Sequence, residues 1–262
     1  MRWSEHQVAM LAEMGVRLWQ APAQVSETIE SAASTLLVDD MPRRESVTAP
    51  VVVRERSEIA GLDWPALREA VAGCTACALS RSRRQTVFGV GNLRADWMIV
   101  GEAPGEQEDR QGEPFVGKSG QLLDNMLRAI GLTRSEAEPA RQVFIANTLK
   151  CRPPGNRNPE PDELAKCEGF LIRQIQLVQP KIILAMGAFA VQSLLRSTEP
   201  VGRLRGRVHH YQGVPLIVSY HPAYLLRNPV DKAKAWDDLC LAVETLQSAS
   251  SATATTSTTP SS

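Results

Sequence analysis

The run Trp97-Met98-Ile99-Val100-Gly101-Glu102-Ala103-Pro104-Gly105 changes character in its middle, where an unbroken apolar stretch gives way to glycine, alanine and proline around one carboxylate. A short apolar run bounded by turn residues is the pattern of a strand buried on both faces, as in a parallel sheet. Three more such runs follow at Val143–Asn147, Ile182–Met186 and Leu216–Tyr220. Helical periodicity over Ser119–Ile130, Pro161–Val178, Ala188–Leu195 and Lys232–Leu246 separates and follows them, which predicts βαβ units. The expected fold is a three-layer α/β/α domain over a central, mainly parallel four-stranded sheet. Gly101 to Gly105, Asn147, Gly187 and His221-Pro222 each follow a strand directly, so they gather at the carboxyl ends of the strands, where open parallel sheets bind ligands.

Around this centre the chain has 262 residues, 43% of them hydrophobic and 22% charged, which places it among globular proteins with a real core. No apolar run approaches the ~18 residues that a membrane span needs. The start, Met1-Arg2-Trp3-Ser4-Glu5-His6, lacks a basic segment leading into an apolar one, so a cytoplasmic protein with no membrane partner is expected. Three regions follow from composition. Residues 1–60 read as an N-terminal helix, with Val8, Leu11, Met14 and Leu18 at helical spacing, and then a weakly ordered arm; residues 61–246 read as the globular domain. Residues 247–262, almost all Ser, Thr and Ala, are expected to be a disordered tail. The overall charge is zero but uneven: residues 1–70 hold 7 Arg against 11 acidic residues, whereas Arg141 to Lys234 holds 14 Lys plus Arg against 6. A basic half suits a phosphate backbone.

Some motifs fail on context. Gly112-Glu113-Pro114-Phe115-Val116-Gly117-Lys118-Ser119 fits the phosphate-loop pattern letter for letter, but such a loop leaves a strand directly, and here Glu106, Glu108, Asp109 and Arg110 come first. Nucleotide hydrolysis is rejected on that ground. Four cysteines carry more weight: Cys74 and Cys77 form a C-x2-C pair, and Cys151 and Cys167 a C-x15-C pair. In a reducing compartment this spacing points to a metal or cluster rather than disulfides. Zinc favours two tight knuckles, which the second pair fits poorly; Cys151 before Arg152-Pro153-Pro154 suits a [4Fe–4S] ligand shielded by stiff backbone. Cys240, in a helical pattern, reads as a small buried residue. His221 alone could merely cap a turn, but Leu225-Leu226-Arg227 follows in an expected loop, with apolar groups beside a cation that suit insertion into a base stack.

Together, Gly101-Glu102-Ala103-Pro104-Gly105-Glu106-Gln107-Glu108-Asp109, Pro114-Phe115-Val116-Gly117, Lys150-Cys151-Arg152-Pro153-Pro154-Gly155-Asn156-Arg157 and His221-Pro222-Ala223-Tyr224-Leu225-Leu226-Arg227 are recognisable. Over about residues 70–246 the chain resembles the family 4, iron–sulfur uracil-DNA glycosylases. The resemblance implies a monofunctional enzyme, expected to be a monomer, that removes uracil from single- or double-stranded DNA and leaves an abasic site. It assigns Cys74, Cys77, Cys151 and Cys167 to a structural [4Fe–4S] cluster. Phe115 would stack on the extruded base, Asn147 would pair with uracil N3–H and O4, and His221 would donate to O2, with backbone N–H groups near Ala103 beside it. Arg152, Arg157 and Arg227 would contact phosphates, and Leu225 would wedge into the gap.

Two departures from family 1 glycosylases, whose motif is Gly-Gln-Asp-Pro-Tyr-His, matter for mechanism. Ala103 stands where that motif has its water-activating aspartate, which leaves water positioning to Asn156, placed first, or to Glu102. Gly105 stands where it has the tyrosine that excludes thymine, which shifts that task to Glu106 or Glu108. The contrasting class is a non-catalytic iron–sulfur protein that binds DNA or senses redox state.

Overall fold

The structure, a computed structural model, describes residues 58–255. The expected N-terminal helix and almost all of the arm lie outside the described residues, as do residues 256–262.

Among the described residues six strands form one sheet: β1 (Val90–Gly91), β2 (Trp97–Gly101), β3 (Phe144–Asn147), β4 (Ile182–Met186), β5 (Val208–Tyr211) and β6 (Val214–Ser219). They lie in the order β1-β3-β2-β4-β6-β5. The four inner strands are parallel and match the four apolar runs; β1 and β5 add antiparallel edges to β3 and β6. The expected four-stranded sheet is therefore corrected to six. Both extra strands are short and partly exposed, so no apolar run announces them. Gln212 (φ 47°) and Gly213 (φ 85°) close the β5–β6 hairpin, two left-handed residues in succession as a tight hairpin turn requires.

The helices are α1 (Trp64–Ala72), α2 (Glu106–Gln111), α3 (Gly117–Ala129), α4 (Pro161–Val178), α5 (Ala188–Leu195), α6 (Val201–Leu204), α7 (Pro222–Arg227) and α8 (Lys232–Thr255). The two-residue period of the strands sorts their side chains into two cores. Met98, Val100, Phe144, Ala146, Ile183 and Ala185 face Leu171 and Ile175 of α4 and Val191 of α5. Trp97, Ile99, Ile145, Ile182 and Leu184 face Leu123 and Leu127 of α3 and Leu239 of α8. The crossover from β2 to β3 runs one way along the sheet and that from β3 to β4 the other; with right-handed crossovers this puts α3 and α4 on opposite faces. The reversal also opens a crevice beyond β2 and its neighbours.

One expectation about the ends changes. Helix α8 continues past Leu246 to Thr255, so part of the Ser/Thr run expected to be disordered is helical. The segment before Gly112 is helix α2 rather than a strand, with Gly112 (φ 80°) as its left-handed cap, which agrees with rejecting a phosphate loop.

Candidate functional site

The crevice holds a cleft of about 890 Å³ whose lining includes Glu102, Ala103, Phe115, Asn147 and His221. Parallel register sets Gly101 at the end of β2 beside Asn147 at the end of β3. A Cβ on Gly101 would lie 2.4 Å from the Phe115 ring and 2.5 Å from Asn147 Oδ1, so the ring and the amide both close on the space that this glycine leaves. Phe115 itself is left-handed (φ 54°), a conformation that costs a phenylalanine about 1–3 kcal/mol and needs strong surroundings. Gly120 in the first turns of α3 permits it, since a Cβ there would fall 1.8 Å from Phe115 O. The ring is 4% exposed and Asn147 2%.

His221 caps α7 and stacks on Phe115, with ring centroids 5.1 Å apart and planes at 25°. Burial, and then the charge of Arg227, push its pKa down to about 4, so the ring is neutral at physiological pH. The Ala223 N–H points at Nδ1 (3.2 Å), which places the lone pair there and the proton on Nε2. A neutral imidazole thus presents an N–H donor. Glu102 is held differently: its Oε1 accepts from Phe189 N (3.1 Å) at the start of α5. Burial raises its pKa, while the N–H groups of Phe189 and Ala188 and the charge of Arg227 act against that.

The four cysteines converge on a second, smaller cavity that Arg83, Lys150 and Phe170 also line. Cys151 and Cys167 are buried and Cys74 and Cys77 partly so. Arg83 Nη1 donates to Cys151 Sγ (3.0 Å), and the Lys150 N–H donates to Cys167 Sγ (3.3 Å). Burial pushes the Cys167 thiol up to about 12 and raises Cys77 and Cys151 as well. Among the described residues no three His, Cys, Asp or Glu side chains are drawn together as around a single ion. No carboxylate or imidazole lines the cavity. Four thiols, with the Lys150 N–H and the Arg83 guanidinium turned toward the sulfur, fit the donor set of an iron–sulfur cluster, which takes its ligands from farther apart than one ion does.

The uracil DNA glycosylase superfamily model matches residues 88–240, more than half of the chain and the whole of the cleft's strand framework. The chain is 41% identical over 167 residues to the type-4 uracil-DNA glycosylase of Archaeoglobus fulgidus, covering 61% of this chain and 81% of that protein. With the type-4 enzyme of Thermotoga maritima it shares 43% over 162 residues, again 61% and 81%. This chain belongs to the type-4 uracil-DNA glycosylases. The type-4 enzyme of Pyrobaculum aerophilum extends the match to 190 residues at 38%, covering 69% of this chain and 93% of that protein.

Around the glycosylase cleft several sequence expectations need correction. The run after His221 is helix α7 rather than a loop, and it turns Leu225 into the core (1% exposed) while Leu226 stays 42% exposed. Leu225 is therefore not a free wedge. Arg157 is committed within the chain, its Nη1 and Nη2 on the two oxygens of Glu163 (2.9 and 2.6 Å), so it clamps its loop to α4 rather than reaching freely for phosphate. Arg152 lies outside the cleft lining, with Nε on Asn156 Oδ1 (2.7 Å) and Nη2 3.6 Å from Glu106. Asn156 sits exposed at the rim with that oxygen engaged, which weakens its placement ahead of Glu102 as water holder. Glu108 is no solvated acid: it is 8% exposed and braces the turn by accepting from Gly105 N (3.0 Å) and Val116 N (2.9 Å). Arg227 is exposed on the cleft wall and sends its field to both His221 and Glu102.

Sequence reasoning missed Phe189, Tyr220 and Tyr224 of the glycosylase wall. Tyr220 and Tyr224 stack at 4.9 Å, and the Tyr224 hydroxyl donates to Asp231 (2.7 Å). Gly187 (φ 96°) was the available signal for Phe189, since a glycine straight after a strand sets the entry of α5 against Glu102.

Proposed function

We propose that this glycosylase hydrolyses the bond between uracil and deoxyribose in single- or double-stranded DNA and leaves an abasic site. One observation carries the reading: the Phe115 ring and the Asn147 amide meet over the vacant Cβ position of Gly101, with the His221 ring stacked alongside. An aromatic face, a bifunctional amide and a neutral N–H donor in one cleft are what an extruded pyrimidine needs.

Uracil enters with its ring on Phe115, and Asn147 meets the N3–H and O4 edge; cytosine offers the opposite donor pattern there and leaves buried groups unpaired. As the glycosidic bond lengthens, negative charge gathers on uracil O2, and His221 Nε2–H stabilises it where it develops. Backbone N–H groups at Ala103 border the same leaving group. Glu102, fixed by the first N–H groups of α5, holds the attacking water through its carboxylate; the sugar cation needs little base. On DNA, Arg227 meets the backbone and the exposed Leu226 fills the gap left by the base.

The same reading gives the thiolates of Cys74, Cys77, Cys151 and Cys167 to a [4Fe–4S] cluster, which when bound supplies a rigid cross-link. Hydrolysis transfers no electrons, so a structural role suffices.

An oligonucleotide with one labelled uracil tests the proposal: the purified protein releases free uracil and leaves an alkali-labile site, and spares a cytosine control. Retained DNA binding without release, in protein with bound iron, would favour the non-enzymatic class instead.

A further inference from the structure

Between the cysteine centre and the base cleft lies one side chain that the mechanism leaves unused. Lys150 is 1% exposed, and its Nζ donates to Asn147 O (2.8 Å) and to Gln174 Oε1 (2.6 Å). Gln174 is itself fully buried and passes the connection on, its Nε2 donating to Phe88 O (2.8 Å). On its other side, the Lys150 backbone N–H donates to Cys167 Sγ, and Cys151 is the next residue in the chain. Both Nζ acceptors are neutral oxygens. Among the described residues no carboxylate hydrogen-bonds it, and a buried ammonium with only neutral acceptors is costly.

We propose that Lys150 is a positioning residue that ties the cysteine centre to the uracil-reading amide of Asn147. The inference rests on the glycosylase reading and deepens it. Thiolates committed to a cluster keep their negative charge at all ordinary pH and balance the ammonium. The ammonium grips the Asn147 carbonyl, and that carbonyl fixes the peptide from which the reading amide projects at the end of β3. The centre thereby acts on base recognition without touching substrate.

Lys150→Met keeps an unbranched apolar stem and removes the Nζ donors. Three readouts on the iron-loaded protein test the idea: iron and visible absorption per chain, single-turnover uracil release with DNA affinity measured in parallel, and inhibition by free uracil. The expected result is near-normal iron and DNA affinity, release slowed about tenfold or more, as for lost outer-shell partners, and weakened inhibition by uracil. Gln174→Met, which removes the second acceptor together with the Nε2 donor to Phe88 O, leaves the Asn147 bond in place and gives a smaller loss in the same direction. Wild-type release and uracil inhibition in Lys150→Met overturn the proposal, as does activity that returns fully once lost iron is restored. If Lys150→Met does not accumulate as folded protein, unchanged uracil inhibition in Gln174→Met overturns it. Iron-loaded wild-type protein that releases no uracil would refute the glycosylase reading instead.

Discussion

The base cleft and the cysteine centre are built on opposite principles. In the cleft, strand ends, a histidine that caps a helix and two glycines that leave room for their neighbours set the working groups in place. At the cysteine centre the thiols are driven toward their neutral form by burial, and Arg83 and Lys150 bring positive charge beside them. One site is set by the ends of the sheet; the other gathers buried thiols beside cations. The two meet at Lys150, between Cys167 Sγ and Asn147 O.

That contrast can be broken from either side. The largest expected effect lies in the cleft: Asn147→Ala or His221→Ala slows single-turnover uracil release by roughly a hundred- to a thousandfold while the iron content and melting temperature stay near wild type. At the other site, Cys167→Ser abolishes visible absorption and lowers the melting temperature sharply, because binding energy at such a centre is folding energy. Gly101→Ala sharpens the comparison, since a single methyl must displace both the Phe115 ring and Asn147 Oδ1. It should cost about 1–3 kcal/mol in thermal denaturation and weaken inhibition by free uracil, with the iron untouched.

Titration gives a finer cut. With His221 near 4 in the folded chain and 6.5 as its ordinary value, the unfolded chain takes up the proton first as pH falls. Stability is then lost between about 6.5 and 4. Glu102, whose pKa burial raises, adds an acid limb of its own to uracil release, so the residual release of Glu102→Gln isolates His221: it stays flat down to about pH 5, and an acid limb near 6.5 in that variant would contradict a neutral imidazole. The smallest effect on activity belongs to Leu226, and its neighbour in the chain gives the contrast. Leu226→Ala lowers excision from duplex DNA a few-fold at unchanged stability, whereas Leu225→Ala destabilises by about 2–5 kcal/mol, as melting curves of the two variants would tell.

The parallel core was legible because β2 and β4 are unbroken apolar runs, and the cleft because Glu102, Asn147 and His221 each follow such a run. What escaped was whatever depends on partners distant in sequence. Arg157 reads as a free cation until α4 brings Glu163 beneath it, and Lys150 reads as part of a basic loop until Gln174, 24 residues on, buries it. Leu225 and Leu226 are indistinguishable by type; only the helical turn of α7 decides which one faces solvent. Edge strands β1 and β5 lack the apolar payload that reveals inner ones.

The glycines at 101 and 120 have a consequence for how this pocket could diversify. They lie behind the lining, where a methyl at 101 would meet the Phe115 ring and Asn147 Oδ1, and one at 120 the Phe115 carbonyl. Any side chain there displaces the reading groups rather than reshaping the cleft. A lineage drifting toward other damaged bases has more room to vary at the flanking aromatics, Phe189, Tyr220 and Tyr224.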